Sequence, residues 1–245
     1  LLISIPVFLI LLQPDAGSAL VFFSLIIMFF REGFPLVYIS IAITIIIIAI
    51  LTLLFGMSHS IVMVLLSAII LGLILKNNRK RVMVVLLFFI FGALVISAVQ
   101  FSYTNILGNH QKERIDIILG KETNTLGSGY NLNQSLIAIG SGGLIGKGYL
   151  NGTQTKFNFV PEQNTDFIFC TVGEELGFIG SIFVIITFLA LIIRLIILSE
   201  KQTSRFSRIV GYSLVSIIFA HVFINISMTI GIMPIIGIPL PFFSY

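Results

Sequence analysis

Long apolar runs broken by short polar punctuation set the pattern of the chain. Residues 1–12, 18–30, 34–55, 61–75, 82–103, 167–198 and 209–230 are almost wholly apolar. Several exceed the roughly 20 residues that an α-helix needs to cross a bilayer. Between them lie polar breaks at 13–17, 31–33, 56–60, 76–81 and 199–208, and a Gly/Pro-broken exit covers 231–245. At 13–17, Pro14 and Gly17 together mark a turn. The pattern predicts an all-α, polytopic integral membrane helix bundle. One segment differs: residues 104–165 form a long polar loop with apolar stretches of its own at 115–119 and 134–139, the second reading as an amphipathic helical turn. A loop of that length with internal apolar segments points to function rather than connection.

Composition sharpens the class. The chain is 57% hydrophobic and 10% charged, where a soluble domain carries roughly 25% charged residues. Its single cysteine, Cys170, excludes an internal disulfide and any cysteine metal cluster. The net charge of +4 is no nucleic-acid signal, but its distribution orients the bundle. With alternating spans, one side collects Arg31, Lys76, Arg79, Lys80, Arg81, Arg194, Lys201, Arg205 and Arg208, and the short turns of the other side collect none. The positive-inside rule makes the basic side cytoplasmic and the 104–165 loop extracytoplasmic. The chain opens inside an apolar run and stops at Tyr245 without a polar tail. It reads as a single membrane domain, 1–245, cut from a longer protein.

Candidate chemistry concentrates where the long loop meets the next span. Pro161-Glu162-Gln163-Asn164-Thr165-Asp166-Phe167-Ile168-Phe169 places two carboxylates, two amides and a hydroxyl at a membrane boundary, where ionisable groups are costly and function is the default reading. Thr165 or Asp166 can equally cap the following helix, and the two roles are compatible. Glu162 either supports Asp166 or is a solvated loop charge. Lys147, between Gly146 and Gly148, is a cation able to meet a phosphate, as are Lys112, Arg114 and Lys156, with a solvated surface as the plainer role for each. Glu174 and Glu175 read as structural charges early in a span, favoured there by the helix dipole. His221 and Asn225 lie one turn apart and read as an inward-facing polar pair. No metal cluster, nucleophilic triad or nucleotide loop is visible in the sequence.

Six blocks in order carry a resemblance. They are Gln13-Pro14-Asp15-Ala16-Gly17, the stretch from Gly129 to Gly148, Asn151-Gly152-Thr153-Gln154-Thr155, Pro161 to Phe169, Gly173-Glu174-Glu175-Leu176-Gly177, and Pro239-Leu240-Pro241-Phe242-Phe243-Ser244-Tyr245. Together they resemble the SEDS family, the RodA and FtsW polymerases of the bacterial cell wall, and the Asn-Gly-Thr-Gln-Thr block leans to the RodA branch. The resemblance implies a multi-pass protein of the bacterial cytoplasmic membrane. It implies a peptidoglycan glycosyltransferase whose substrate is lipid II, working with a class B penicillin-binding protein. The family's essential carboxylate falls on Asp166 and a second important one on Asp15. Glu162 supports them, and Lys147, Gln134, Ser141, Gln154, Thr165 and Arg114 are the expected substrate-binding residues. The pattern makes no cofactor certain, and Asp166 and Asp15 can share a Mg²⁺ or Mn²⁺ ion beside a pyrophosphate.

The pattern departs in places. Asn164 stands where the family often has His. There are two more spans than expected between residues 17 and 104, and the family's N-terminal spans and last span are missing. Two other classes compete: a carrier or flippase for the same lipid, and a non-catalytic scaffold for a penicillin-binding protein. A carrier needs polar groups through the depth of the bilayer, whereas here they gather on one face, which favours catalysis.

Overall fold

The computed structural model describes residues 4–13, 16–74, 79–119, 128–157 and 159–244. Asp15 and Lys121 lie outside that set. Ten α-helices occur among the described residues: α1 (Ser4–Leu12), α2 (Ala16–Phe23), α3 (Ile26–Arg31), α4 (Leu36–Ile74), α5 (Arg79–Phe101), α6 (Asn109–Ile118), α7 (Ser128–Gly142), α8 (Thr153–Lys156), α9 (Ile168–Glu200) and α10 (Arg205–Thr229). Four are long and apolar enough to cross a membrane: Leu36–Leu73, Val82–Ile106, Ile168–Glu200 and Arg205–Thr229. The chain divides into two compact units, one of residues 1–34 with 120–245 and one of residues 35–119.

The 35–119 unit is built on α4 and α5. A straight helix of 39 residues would measure about 58 Å, nearly twice the bilayer core. Gly56 breaks it, at φ 79 and ψ 169, into two arms of spanning length. The expected turn over 56–60 thus contracts to Gly56 alone, because only glycine adopts that backbone without a steric penalty, and residues 57–60 are helical. Around the break, the buried hydroxyls of Thr52 and Ser60 are satisfied by their own helix, at Ile48 O (2.7 Å) and Gly56 O (2.9 Å). Ile48, Val64 and Ile96 form the buried core of this unit. Beyond α5 a π-helical turn, Ser102–Ile106, leads to α6, which is tied back by Tyr103 donating to the Asp116 carboxylate at 2.6–2.7 Å.

The other unit positions the candidate site. Its spine is α9 against α10, packed through Val184, Phe188, Ile192, Val215, Ile218 and Val222. Val21 of α2 joins Ala220, Ile224 and Ile238 in a second cluster. At one end of the spine, charges clasp the helices. Arg31 pairs with Glu200 at 2.6 Å, Glu200 also accepts from Tyr212, and Glu32 takes Arg205 at 3.0 Å and Arg208 at 3.3 Å. The hydrogen bond from Arg205 is the main reason that the Glu32 carboxyl lies below its ordinary range. At the other end, a third cluster joins Ala138 of α7 to Val160, Phe167 and Cys170. The described part of the long loop from 128 onward is therefore folded chain. The helical turn expected at 134–139 extends over 128–142 as α7, because its apolar face finds α9 to pack against.

Candidate active site at the Asp166 turn

Residues 161–167 form a tight turn leading into α9. Glu162 sits at φ 58, a left-handed conformation uncommon for a residue with a side chain. That conformation lets its carbonyl accept from Thr165 N (3.1 Å) and Phe167 N (3.2 Å), the residues on either side of Asp166. The Thr165 hydroxyl donates to the same carbonyl at 3.2 Å. Neither Thr165 nor Asp166 caps α9, since the residue at the cap position is Phe167, with no side-chain capping bond.

Asp166 is half-buried. Burial raises its pKa first, and the like charge and hydrogen bonding of Glu162 raise it further. Its Oδ2 faces Gly237, where an added Cβ would lie 3.1 Å away. Gly237 has φ +79, so glycine is demanded there both by the backbone and by the close approach. The main chain of the turn is held from two further elements. Asn225 of α10, wholly enclosed, donates one amide group to Asp166 O (2.8 Å) and Ile238 O (2.7 Å). Ser244 donates to Thr165 O at 2.5 Å and accepts from Leu240 N at 3.0 Å. His221, one turn from Asn225, meets Pro239 O at 3.3 Å. The polar pair of α10 thus serves loop carbonyls around Asp166, and its partner is not another helix.

The remaining expected residues separate. Lys147 is seated on Glu174, at 2.7 Å, and its ammonium also donates to the Thr153 hydroxyl. Glu174 is 0% exposed. Its role is not a helix-dipole charge at the start of α9. It gathers Lys147, Thr153 and the main-chain N–H groups of Gln154 and Thr155, holding α8 in place. Gln154 enters this arrangement through its backbone, with its side chain partly exposed. Gln134 lines an open groove of about 590 Å³ along α7 with Tyr130 and Asn133. The Ser141 hydroxyl donates to Ala138 O at 2.8 Å. Arg114 belongs to α6 of the other unit. An apolar groove of about 610 Å³, lined by residues including Ile139, Leu144, Phe169, Phe178, Ile226 and Ile230, runs between α7, α9 and α10. Among the described residues no group of three His, Cys, Asp or Glu side chains converges on one point. Glu162 and Asp166 are two oxygen-bearing groups that a hard cation suits, and a third ligand would have to come from elsewhere.

The FtsW/RodA/SpoVE family model, described as a cell cycle protein, matches residues 57–245. The chain belongs to that family. Relatives include the peptidoglycan glycosyltransferase MrdB of Escherichia coli K12, 41% identical over 152 residues that cover 62% of this chain and 41% of the relative. The peptidoglycan glycosyltransferase RodA of Treponema pallidum is 31% identical over 269 residues, covering 98% of this chain and 61% of the relative. Stage V sporulation protein E of Bacillus subtilis is 41% identical over 133 residues, covering 54% of this chain and 36% of the relative. The chain thus spans less than two thirds of each of these relatives. Its four span-length helices and its FtsW/RodA/SpoVE membership make it a multi-pass protein of the bacterial cytoplasmic membrane. The Treponema match covers 98% of this chain and so extends into both units.

Proposed function

We propose that this chain carries the reacting carboxylate of a peptidoglycan glycosyltransferase of the RodA branch, which polymerises lipid II on the outer face of the cytoplasmic membrane during cell elongation. Two relatives bear the name peptidoglycan glycosyltransferase, and the lean of the basic residues to one side supports the orientation. The observation that carries the reading is Asp166, a half-buried carboxyl at a membrane edge whose pKa is raised by its surroundings.

The chemistry asks for such a group. A sugar hydroxyl of one lipid-linked glycan attacks the anomeric carbon of another. The bond from that carbon to the pyrophosphate oxygen breaks, its electron pair leaves with the phosphate, and the attacking hydroxyl loses its proton. A carboxylate whose pKa is raised is the better acceptor for that proton. In this reading Asp166 takes the proton and Glu162 tunes its basicity. The Asn225 and Ser244 bonds fix the turn, and Gln134 in its groove faces a sugar. The apolar groove beside Phe169 suits the polyprenyl chain of the substrate. Asp166 and Glu162 would hold a divalent cation, which would supply charge neutralisation at the pyrophosphate. A class B penicillin-binding protein is the expected partner, cross-linking the strands.

The test is polymerisation of purified lipid II by the intact protein in liposomes, with and without that partner. Glycan strands that disappear in Asp166→Asn support the reading. Full activity in that variant defeats it and favours a carrier or a scaffold.

A further inference from the structure

We propose that Lys147 and Glu174 are a positioning pair that sets the Asp166 turn, acting through the side chain of Gln163. The proposal rests on the reading of Asp166 as the reacting carboxylate and adds to it a device that holds that group in place.

The pair sits where α9 is broken. Gly177, at φ 67 and ψ −163, interrupts the helix one turn after Glu174. A break inside an apolar helix strands main-chain groups that must find partners. Here the segment 143–148 supplies them on both sides. Lys147 N and Gly148 N donate to the carbonyls of Glu174 and Glu175, both at 3.0 Å. Phe178 N and Ile179 N donate to the carbonyls of Gly143 and Leu144, at 2.9 and 3.1 Å. The approach is so close that a Cβ on Gly146 would fall 2.2 Å from Glu175 O.

The Glu174 carboxylate then carries the connection onward. A buried carboxylate persists only when it is paired and hydrogen-bonded. Oε1 receives Lys147 Nζ at 2.7 Å, Gln154 N at 2.9 Å and Thr153 Oγ1 at 3.2 Å. Oε2 receives Thr155 N at 2.9 Å. These contacts fix α8, and the carbonyl of Thr155 accepts from Gln163 Nε2 at 2.7 Å. Gln163 follows Glu162, whose carbonyl organises both residues flanking Asp166. One continuous path thus runs from Lys147 through Glu174, Thr155 and Gln163 to the turn. A pair that served packing alone would have no need of the last link.

The experiment uses the intact protein in liposomes with its partner, comparing Lys147→Met, Gln163→Met, Lys147→Arg and the double Lys147→Met/Gln163→Met with Asp166→Asn as reference. Misplacing the carboxylate by a fraction of an ångström lowers kcat by about tenfold or more while leaving KM within about twofold. Lys147→Arg restores most of kcat. Because both singles cut one path, the double is no slower than the slower single by more than about twofold. A second readout needs no turnover. In a Cys170→Ala background, alkylation of Asn164→Cys, an exposed position of the turn, speeds up in both Met variants. If Lys147→Met does not accumulate, the Gln163→Met comparison decides alone. Normal kcat and unchanged alkylation beside an inactive Asp166→Asn overturn the proposal, as do fully additive losses. Should Asp166→Asn polymerise normally, the functional reading falls, and the alkylation rates then decide whether the pair holds the turn.

Discussion

The side-chain amide of Asn225 is bonded to the main-chain carbonyl of Asp166 at 2.8 Å. The same amide reaches Ile238 O at 2.7 Å, so a single enclosed group joins α10, the Asp166 turn and the 231–244 exit. Asn225→Leu keeps the branched outline of the side chain and removes the donor that both carbonyls use. Each orphaned group costs about 1–3 kcal/mol. The melting temperature of the purified intact protein should fall clearly, and polymerisation with it. An unchanged melting temperature would show that the amide is not needed to hold the turn.

Asp166→Asn should separate activity from stability. Asn retains the shape but accepts no proton, so the polymerisation rate should drop by about 10² or more. Stability should move the other way. The fold raises the pKa of Asp166, so it favours the protonated form. The stability this group contributes is fully present below its unfolded pKa and is lost as pH rises through its folded pKa. Above its folded pKa the ionised Asp166 is therefore a cost, and Asn, which resembles the neutral acid, removes it. The variant should melt at or above the wild-type temperature there, with the difference closing in acid. A variant that loses both activity and stability points to a structural carboxylate.

Glu162 supplies a testable part of that shift. A base works only when ionised, so the acid limb of the rate profile follows the raised pKa of Asp166. Glu162→Gln removes the like charge and leaves burial, the larger cause, in place. The acid limb of kcat/KM should move to lower pH without reaching the ordinary aspartate range of about 3.9. A limb that stays where it was assigns the titration to another group.

How far the sequence could be read follows from which interactions are local. Run length alone marked the spans, because a membrane requires long continuous apolar helices. It also placed the polar face at Asp166, since a carboxylate at a span boundary is conspicuous in a chain so poor in charge. The break at Gly177 was not legible, because the hydropathy stays high on both sides of it. The available signal was the block Gly173-Glu174-Glu175-Leu176-Gly177, two carboxylates between glycines in an apolar run. Likewise Lys147 looked like a loop cation until folding brought it to Glu174, 27 residues on. The left-handed Glu162 and the Asn225 bridge depend on main-chain carbonyls, which no side-chain pattern announces.

Gly237 offers the most local test of the site. Its φ of +79 and the 3.1 Å separation between its would-be Cβ and Asp166 Oδ2 make two demands on one position. Gly237→Ala meets a backbone penalty of about 1–2 kcal/mol and also presses a methyl group onto the carboxylate. The first effect lowers the melting temperature modestly. The second obstructs the face of Asp166 and should lower kcat far more than the stability change explains. The two are separable with Gly231→Ala, another left-handed glycine, at φ +77, whose nearest neighbour to an added Cβ is a Leu132 methyl at 3.5 Å. That variant should suffer the backbone penalty alone and retain most of its rate. Equal rates in the two variants would mean that the space beside Asp166 Oδ2 has no part in the reaction.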